Sequence, residues 1–212
     1  MLDTRILPGP DAAGDAPVLV LMHGRGADID DLAPLRRWLP SAVTIVLARA
    51  PFEAAPWGYG PGRAWYRYIG DDRPEPESFR TAQEELETLV DGLGALLGAD
   101  PRAVILGGFS QGGTMSLGYA LRRPGDIAGV INLSGFVPSH PDATGDAALA
   151  GFPVFWGHGT LDPAIPFVLA EKGRARLRAA GARLLARDYE MAHAISPDEL
   201  RALLGLTRSG AG

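Results

Sequence analysis

The stretch Ala103-Val-Ile-Leu-Gly-Gly-Phe-Ser-Gln-Gly-Gly113 joins an apolar run to a glycine-rich turn that carries a serine. Within it, Gly108-Phe-Ser-Gln-Gly112 has the form of a nucleophile elbow, in which a serine lies on a sharp turn between a strand and a helix. The flanking glycines let the backbone turn tightly enough to expose the serine hydroxyl. Ser110 is therefore the first candidate nucleophile.

The Gly-x-Ser-x-Gly pattern is weak on its own, because a chain of 212 residues with 28 glycines produces it by chance about one time in seven. Its surroundings strengthen it. Residues 103–106 are typical of a buried strand, and residues 114–123 of a helix that ends at Pro124-Gly125. This order, strand then turn then helix, is the one that an elbow needs.

Short apolar runs alternate with segments of helical periodicity along the rest of the chain. Further strands are predicted at residues 18–22, 43–47, 129–133, 152–156 and 182–189. Helices are predicted at residues 29–39, 78–97 and 166–180, and a last one from Ser196. Capping boxes are expected at Thr81 with Glu84 and at the start of the last helix.

This alternation predicts an α/β fold with a mostly parallel central sheet and helices on both faces. We find no repeat, linker or low-complexity tract in the sequence. Residues 1–212 are therefore expected to form a single domain.

The bulk composition is that of an ordinary globular protein, with 46% apolar and 21% charged residues. The net charge is −5 and the basic residues are scattered, which argues against nucleic acid as a partner. There is no cysteine, so thiolate catalysis is excluded. No secretory signal and no apolar run of membrane-spanning length is seen, so the sequence predicts a cytoplasmic protein without integral membrane association.

The segment 52–79 is rich in aromatic residues interleaved with proline and glycine. Seven of the 16 aromatic side chains lie there: Phe52, Trp57, Tyr59, Trp65, Tyr66, Tyr68 and Phe79. A long irregular segment inside a compact domain is usually functional or disordered, and aromatic residues argue against disorder. We interpret it as a loop that lines a substrate site. The alternative is a loop that packs on its own side chains.

A serine nucleophile needs an imidazole that accepts its proton and a carboxylate that orients the imidazole. In α/β-hydrolases these groups follow the serine in the order acid, then histidine. Asp162 follows the strand that ends at Trp156, and His193 follows the strand that ends at Tyr189. Ser110, Asp162 and His193 thus follow three strands at the same carboxyl edge of the sheet. We predict that they form a catalytic triad.

Each assignment has an alternative. Asp162 could stabilise the turn before Pro163, and His193 could lie at the entry to the last helix. The rival acids are Asp188, Glu190 and Asp198, which are so close to His193 in sequence that they would have to fold back onto it. We interpret His158 as a residue that hydrogen-bonds within its loop, and His23 as a support for the Gly24 turn. His140 is expected at the surface, and Ser134 near the site but not as the nucleophile.

The tetrahedral intermediate needs hydrogen-bond donors for its oxyanion. One expected donor is the backbone N–H of Gln111, directly after the nucleophile. The other is expected in the loop after the first core strand, and we assign it to the backbone N–H of Arg25.

Four motifs together resemble the phospholipase/carboxylesterase family of α/β-hydrolases, which includes the acyl-protein thioesterases. They are His23-Gly-Arg-Gly, Gly108-Phe-Ser-Gln-Gly, His158-Gly-Thr-Leu-Asp-Pro and Tyr189-Glu-Met-Ala-His. The resemblance implies the α/β-hydrolase fold and a serine esterase that cleaves carboxylic esters or thioesters of fairly small acyl groups without a cofactor. An aromatic-lined groove would also suit lysophospholipids, and the sequence has no metal-ligand spacing, so no metal is expected. Ala192 stands where the family often has glycine, and Arg25 where the acyl-protein thioesterases have an aliphatic residue.

The resemblance also extends to Arg63-Ala-Trp65, which is similar to a segment beside the substrate pocket of the family. It implies that Trp65 contacts the substrate, together with Arg63 and with Phe109 of the elbow. Exposed aromatic side chains beside the site would be consistent with a homodimer.

Two other functions are alternatives to an esterase. A dinucleotide-binding oxidoreductase could use Gly24-Arg-Gly26, but Ile29 stands where the third glycine belongs and the strand 43–47 ends without an acidic residue. A hydrolase-like fold that only binds a small molecule, with an idle triad, is not distinguished by the sequence.

Overall fold

The computed structural model describes residues 2–9, 17–70, 72–139 and 149–199. Its strands are β1 (Thr4–Leu7), β2 (Val18–Met22), β3 (Thr44–Ala48), β4 (Phe52–Glu53), β5 (Arg63–Ala64), β6 (Tyr68–Gly70), β7 (Arg73–Pro74), β8 (Val104–Phe109), β9 (Gly129–Leu133), β10 (Pro153–Gly159) and β11 (Arg183–Tyr189). Its α-helices are α1 (Pro76–Asp91), α2 (Leu93–Leu97), α3 (Gln111–Arg122) and α4 (Phe167–Ala179). Short 3₁₀-helices lie at Ala33–Trp38, Ala55–Trp57 and Pro124–Asp126.

In the described part of the chain the central sheet has seven strands in the order β1-β3-β2-β8-β9-β10-β11. All neighbouring pairs are parallel except β1 with β3, which are antiparallel. The predicted mostly parallel sheet is therefore confirmed. The edge strand β1 was not predicted from the sequence, because it is partly exposed and lacks a continuous apolar run.

The strand order places a ligand crevice between β2 and β8. From β2 the chain passes to β3 on one side, and it later returns to β8 on the other side of β2. In open α/β sheets, ligands bind at the carboxyl ends of strands at such a switch point. The loop after Met22 and the turn after Phe109 meet at this crevice, so the topology alone brings the Arg25 loop to Ser110.

Alternate residues of the central strands pack on opposite faces of the sheet. Val18 and Val20 belong to the larger core, which contains side chains of α1, α3 and α4. Leu19 and Leu21 face the other way, toward the 3₁₀-helix Ala33–Trp38 and toward residues near the last helix. Both faces of the sheet are thus covered.

Three local predictions differ from the structure. The helix expected over residues 29–39 is a 3₁₀-helix confined to Ala33–Trp38, with Pro34 in its first turn. The helix expected to begin at Ser78 begins at Pro76, and it breaks at Gly92 into α1 and α2. Its N-cap is Glu75, so the predicted Thr81 and Glu84 capping box is wrong.

The physical reason is that Pro76 suits the first helical position, where its missing N–H needs no partner. The Glu75 carboxylate then accepts the Ser78 backbone N–H at 2.8 Å. Most of the polar connection expected over residues 138–150, and His140 within it, lies outside the described residues.

The capping box predicted for the last helix is confirmed. The Ser196 hydroxyl accepts the Glu199 backbone N–H at 3.0 Å, and the Glu199 carboxylate accepts the Ser196 backbone N–H at 3.3 Å. The Glu199 side chain is buried against Gly157 of β10, where a Cβ atom would collide with the carboxylate. Burial raises the pKa of Glu199 from its ordinary value of 4.5 to about 7.

Because this carboxyl group is buried, we expect the free energy of unfolding to depend on pH. Between pH 4.5 and 7 the unfolded chain ionises Glu199 while the folded chain keeps it protonated, so the free energy of unfolding falls as the pH rises. At about 1.4 kcal/mol for each pKa unit, the loss is roughly 3 kcal/mol. Glu199→Gln, which cannot ionise, is expected to remove this loss.

Urea unfolding of wild type and Glu199→Gln at pH 5 and pH 8 measures the effect. The variant is expected to be more stable than wild type at pH 8 and similar to it at pH 5. The exposed residue Glu190 provides a matched control, since Glu190→Gln should not change the pH dependence. If the free energy of unfolding falls between pH 5 and pH 8 by the same amount in Glu199→Gln as in Glu190→Gln, Glu199 is not the titrating group.

Candidate active site

Ser110 lies on a strained turn between β8 and α3. Its φ and ψ are 55° and −115°, a left-handed region in which non-glycine residues are rare. Such strain costs about 1–3 kcal/mol and is concentrated at functional sites. The Ser110 backbone N–H donates to Leu133 O of the neighbouring strand at 2.8 Å, which anchors the turn to β9. The predicted elbow conformation is confirmed.

The elbow glycines are required by close packing. A Cβ atom on Gly108 would lie 2.5 Å from the Met22 carbonyl oxygen and 2.5 Å from the Gly112 carbonyl carbon. A Cβ atom on Gly112 would collide with the same Met22 carbonyl. Strand β8, the first turn of α3 and the end of β2 can therefore approach one another only with glycine at both positions.

Asp162 and His193 meet although 31 residues separate them. The His193 Nδ1 atom lies 2.7 Å from Asp162 Oδ2. The other carboxylate oxygen, Oδ1, accepts the backbone N–H groups of Ala164 and Ile165, both at 2.9 Å. The Asp162 side chain is completely buried. These bonds fix the carboxylate and leave Nε2 of His193 without a bond to Asp162.

Ser110 and His193 line the same cavity, which has a volume of about 720 Å³. The Phe109 ring, next to the serine, lies against the His193 ring with a centroid distance of 4.6 Å. The cavity wall is made by the loops at the carboxyl edge of the sheet: Gly24, Arg25, Gly26, Ala27, Asp31, Tyr68, Gly70, Phe109, Ser110, Ala164, Ile165 and His193. Phe109 thus lies where a substrate contact was expected.

His158 holds the loop that carries Asp162. It is fully buried, and its Nε2 atom lies 2.9 Å from the Ile165 carbonyl oxygen. Its Nδ1 accepts the Trp156 indole N–H at 3.4 Å, and burial lowers its pKa, which keeps the ring neutral. The expected loop hydrogen-bonding role is confirmed. Among the rival acids, Asp188 forms an ion pair with Arg174 instead.

The loop after β2 is held from behind by His23, which confirms its predicted support of the Gly24 turn. His23 Nδ1 bonds the Gly24 carbonyl at 2.8 Å, and Nε2 accepts the Ala50 backbone N–H at 3.1 Å. Burial lowers the pKa of His23. A neutral ring with its proton on Nδ1 satisfies both bonds and fixes the loop that contains Arg25.

The prediction that Trp65 contacts the substrate is wrong. Trp65 has no exposed surface, and its indole N–H donates to the His23 carbonyl at 2.9 Å. Its backbone N–H donates to Gln111 Oε1 at 2.9 Å, while Gln111 Nε2 donates to Tyr66 O at 2.8 Å. Trp65 is therefore a buried support that joins the Arg25 loop to the elbow. The role of the Gln111 side chain was not predicted.

The prediction that Arg63 contacts the substrate is also wrong, because its guanidinium bonds to neighbouring groups of the protein. It forms an ion pair with Glu53 and donates to the backbone carbonyls of Ala50 and Pro51. Arg63 does not line the cavity. These three bonds tie the Arg63 side chain to the segment Ala50–Glu53 at the start of the aromatic segment.

The aromatic segment, residues 52–79, both packs on its own side chains and lines part of the cavity, the two roles considered for it. It contains the short pairs β4–β5 and β6–β7, and its rings pack on one another. Tyr66 contacts Tyr68 with a centroid distance of 5.1 Å, and Tyr59 contacts Tyr68 at 6.3 Å. Tyr68 and Gly70 nevertheless line the cavity. The segment thus packs mainly on its own side chains and contributes one aromatic wall.

Ser134 resembles Ser110 in backbone geometry but not in position. Its φ is also 55°, and its backbone N–H donates to Gly157 O at 2.9 Å. Its side chain is fully buried and does not line the cavity. Ser134 therefore cannot reach a substrate in the cavity.

In the described ranges of the chain, no three His, Asp or Glu side chains are arranged to hold a metal ion. No helix in them combines the length and apolar character needed to cross a membrane.

Comparison with known proteins supports one family. The sequence profile of the phospholipase/carboxylesterase family matches residues 10–208. Acyl-protein thioesterase 1 of Cryptococcus neoformans is 30% identical over 179 residues, 77% of this chain and 73% of that protein. Acyl-protein thioesterase 1 of Saccharomyces cerevisiae is 33% identical over 114 residues, and the match spans 49% of its length.

Solved structures show the same fold. The crystal structure of esterase PE8 has a TM-score of 0.81 and 30% identity, and the match covers 98% of both chains. The Bacillus cereus carboxylesterase has a TM-score of 0.84 at 20% identity, with 99% of this chain and 94% of that chain covered.

Proposed function

Because this chain belongs to the phospholipase/carboxylesterase family of α/β-hydrolases, a family of serine hydrolases that act on ester bonds, we propose that it cleaves carboxylic esters through an acyl-enzyme on Ser110. The observation that carries the proposal is the 2.7 Å contact between His193 Nδ1 and Asp162 Oδ2 beside a cavity that His193 shares with Ser110. An imidazole oriented in this way is the base that a serine hydroxyl requires.

In the acylation step, the Ser110 hydroxyl oxygen attacks the ester carbonyl carbon while His193 Nε2 takes its proton. The tetrahedral intermediate collapses when the carbon–oxygen bond to the alcohol breaks and His193 returns the proton to that oxygen. Water then attacks the acyl-serine, with His193 again as the base, and the acid is released. The Asp162 carboxylate stabilises the imidazolium ion that forms.

The oxyanion is proposed to bind the backbone N–H groups of Gln111 and Arg25. Gln111 is the first residue of α3, and the first N–H groups of a helix have no acceptor inside it. Arg25 lies across the crevice on the loop that His23 and Trp65 fix. Each such donor is worth about 10²–10³ in rate when it is preorganised.

The side chains of the cavity wall favour substrates that are esters with a small acyl or aryl group. Phe109, Tyr68 and Ile165 provide apolar surface beside Ser110, and such surfaces supply most of the affinity of small-molecule sites. We propose Phe109 as a substrate contact. Thioesters and lysophospholipids stay within the range of substrates, since the same nucleophile and oxyanion donors serve each of them.

Labelling with a fluorophosphonate tests this function. Wild type should be modified on Ser110, which mass spectrometry of the peptide can establish. Absence of labelling in folded wild type would favour the alternative of a binding module with an idle triad. The other alternative, a dinucleotide site, would use the turn Gly24-Arg-Gly26, and this turn lines the cavity beside Ser110 instead.

In the same assay, Asp162→Asn is expected to slow labelling by about 10⁴. The asparagine carbonyl would take over the two backbone bonds from Ala164 and Ile165 and would point its NH₂ group at His193 Nδ1. The ring proton would then move to Nε2, which could no longer accept the proton of Ser110. Glu190→Gln, at an exposed acid near His193, should label at the wild-type rate. The reverse order of rates would show that the acid is wrongly assigned.

Three statements stay predictions from the sequence. They are the single domain over residues 1–212, the cytoplasmic location and the homodimer. Size-exclusion chromatography with light scattering measures the oligomeric state directly.

A further inference from the structure

Arg25 has a side chain at the site in addition to its backbone N–H. Arg25 lines the cavity, and the preceding residue, Gly24, passes so close that a Cβ atom there would lie 3.6 Å from Ser110 Cβ. The Arg25 guanidinium carbon lies 4.7 Å from the Tyr59 ring centroid and 5.4 Å from that of Tyr68. The structure thus places a positive charge in the wall of the cavity that contains the nucleophile.

This charge has no carboxylate partner in the described part of the chain. Two acids that follow it closely in the sequence are paired with other arginines: Asp28 with Arg49 and Asp30 with Arg5. None of the ion pairs among the described residues includes Arg25. The guanidinium is held by the faces of two rings, which leaves its N–H donors available to a ligand.

Asp31 is the acid in the cavity wall, and like Arg25 it is an exposed residue. It follows Arg25 by six residues, whereas Arg25 directly follows Gly24, the glycine that approaches Ser110. The rings of Tyr59 and Tyr68 hold the Arg25 side chain in place. The charge nearest to the reacting carbonyl is therefore expected to be that of Arg25.

We propose that Arg25 is a specificity-determining residue that selects esters bearing a second, ionised carboxylate over neutral esters of the same size. The inference rests on the proposed function, since it names the substrate class of the same site. A guanidinium presents paired N–H donors whose spacing matches a carboxylate, and such bidentate bonds are among the strongest in proteins. Stacking on Tyr59 and Tyr68 limits the side-chain freedom that binding would otherwise remove.

The carboxylate could belong to the acyl part or to the alcohol part of the ester, and two substrate pairs distinguish them. On the acyl side, the p-nitrophenyl monoester of glutaric acid is compared with p-nitrophenyl valerate. On the alcohol side, 4-carboxyphenyl acetate is compared with 4-carbamoylphenyl acetate. In each pair the two esters are similar in size, and only one is negatively charged.

For each pair, the ratio of kcat/KM for the anionic ester to that for the neutral ester is measured in wild type and in Arg25→Met. We expect the ratio for at least one pair to fall about tenfold in the variant, as expected for the loss of a charge-assisted bond near solvent. Because the ratio is taken within each variant, any effect on the backbone donor cancels. Arg25→Lys should keep part of the ratio.

Asp31→Asn is the matched control, since it removes the other charge of the cavity wall. It should raise the ratio or leave it unchanged. A fall equal to that in Arg25→Met would show a general disturbance of the loop and would overturn the proposal. The wild-type ratio should also decrease as ionic strength rises, because salt screens exposed charges.

The outcome separates this proposal from the proposed function. If wild type cleaves the neutral esters and the ratios do not change in Arg25→Met, the substrate class is wrong and the esterase stands. If no ester is cleaved, the proposed function fails, and binding of the glutarate ion to the wild-type protein by calorimetry still tests the site. Equal affinity of wild type and Arg25→Met for glutarate would then refute it.

Discussion

Ser110→Ala is expected to reduce kcat/KM for p-nitrophenyl acetate by about 10⁶-fold, because the acyl-enzyme cannot form without the hydroxyl oxygen. The residual rate would come from the oxyanion donors and from binding, which the substitution leaves in place. Stopped assays over hours with purified protein measure so large an effect. The variant should also resist the fluorophosphonate.

The fold should survive this substitution. Alanine and serine have the same backbone requirements, so the strained φ of 55° at this turn is unchanged, and only one hydroxyl group is lost. Ser134→Ala is the matched control, since Ser134 has the same φ and is also buried, but lies outside the cavity wall. It should keep activity within a few-fold of wild type. Loss of activity in Ser134→Ala with retention in Ser110→Ala would place the nucleophile elsewhere.

His193→Ala is expected to lower kcat by a similar factor, about 10⁶-fold, because the serine would lose the base that accepts its proton. The loss should be in kcat more than in KM, since the imidazole acts on the transition state. The double variant Ser110→Ala/His193→Ala should be no slower than either single variant, because the two groups act as a unit.

Added imidazole provides the control for His193→Ala. The substitution opens space beside Phe109, whose ring packs on the His193 ring at 4.6 Å, so free imidazole at millimolar concentration should restore part of the activity. It should not restore Ser110→Ala. Thermal unfolding should change little, because His193 is partly exposed and makes one bond to Asp162. Full activity of His193→Ala would remove it from the mechanism.

Much of the architecture could be predicted because its signals are local. Buried parallel strands are continuous apolar runs, and Val18–Met22 and Gly129–Leu133 have the predicted bounds. The elbow could be predicted because Gly108 and Gly112 flank Ser110 in the sequence. The structure shows why both are glycine, since a Cβ atom at either position would collide with the Met22 carbonyl. The meeting of Asp162 with His193 follows from a general rule, since loops after parallel strands gather at one edge of the sheet.

Other features were beyond the reach of the sequence because they depend on contacts between distant segments. Trp65 and Tyr68 lie three residues apart in the same aromatic segment, yet Trp65 is buried behind the elbow and Tyr68 lines the cavity. An irregular loop has no periodicity that tells which side chain faces inward. The partners that decide it, His23 and Gln111, are more than 40 residues away from Trp65.

The sequence by itself therefore determined the family, the order of the parallel strands of the central sheet, and the three polar residues at one sheet edge, because each depends on local pattern or on strand order. Only the tertiary structure decided which groups line the cavity and how they are held. It removed Trp65 and Arg63 from the substrate site, and it placed the Arg25 cation over Tyr59 and Tyr68 in the wall of the cavity that Ser110 lines. The physical reason is that side-chain direction in a loop is set by long-range packing and hydrogen bonds, which no short stretch of sequence contains.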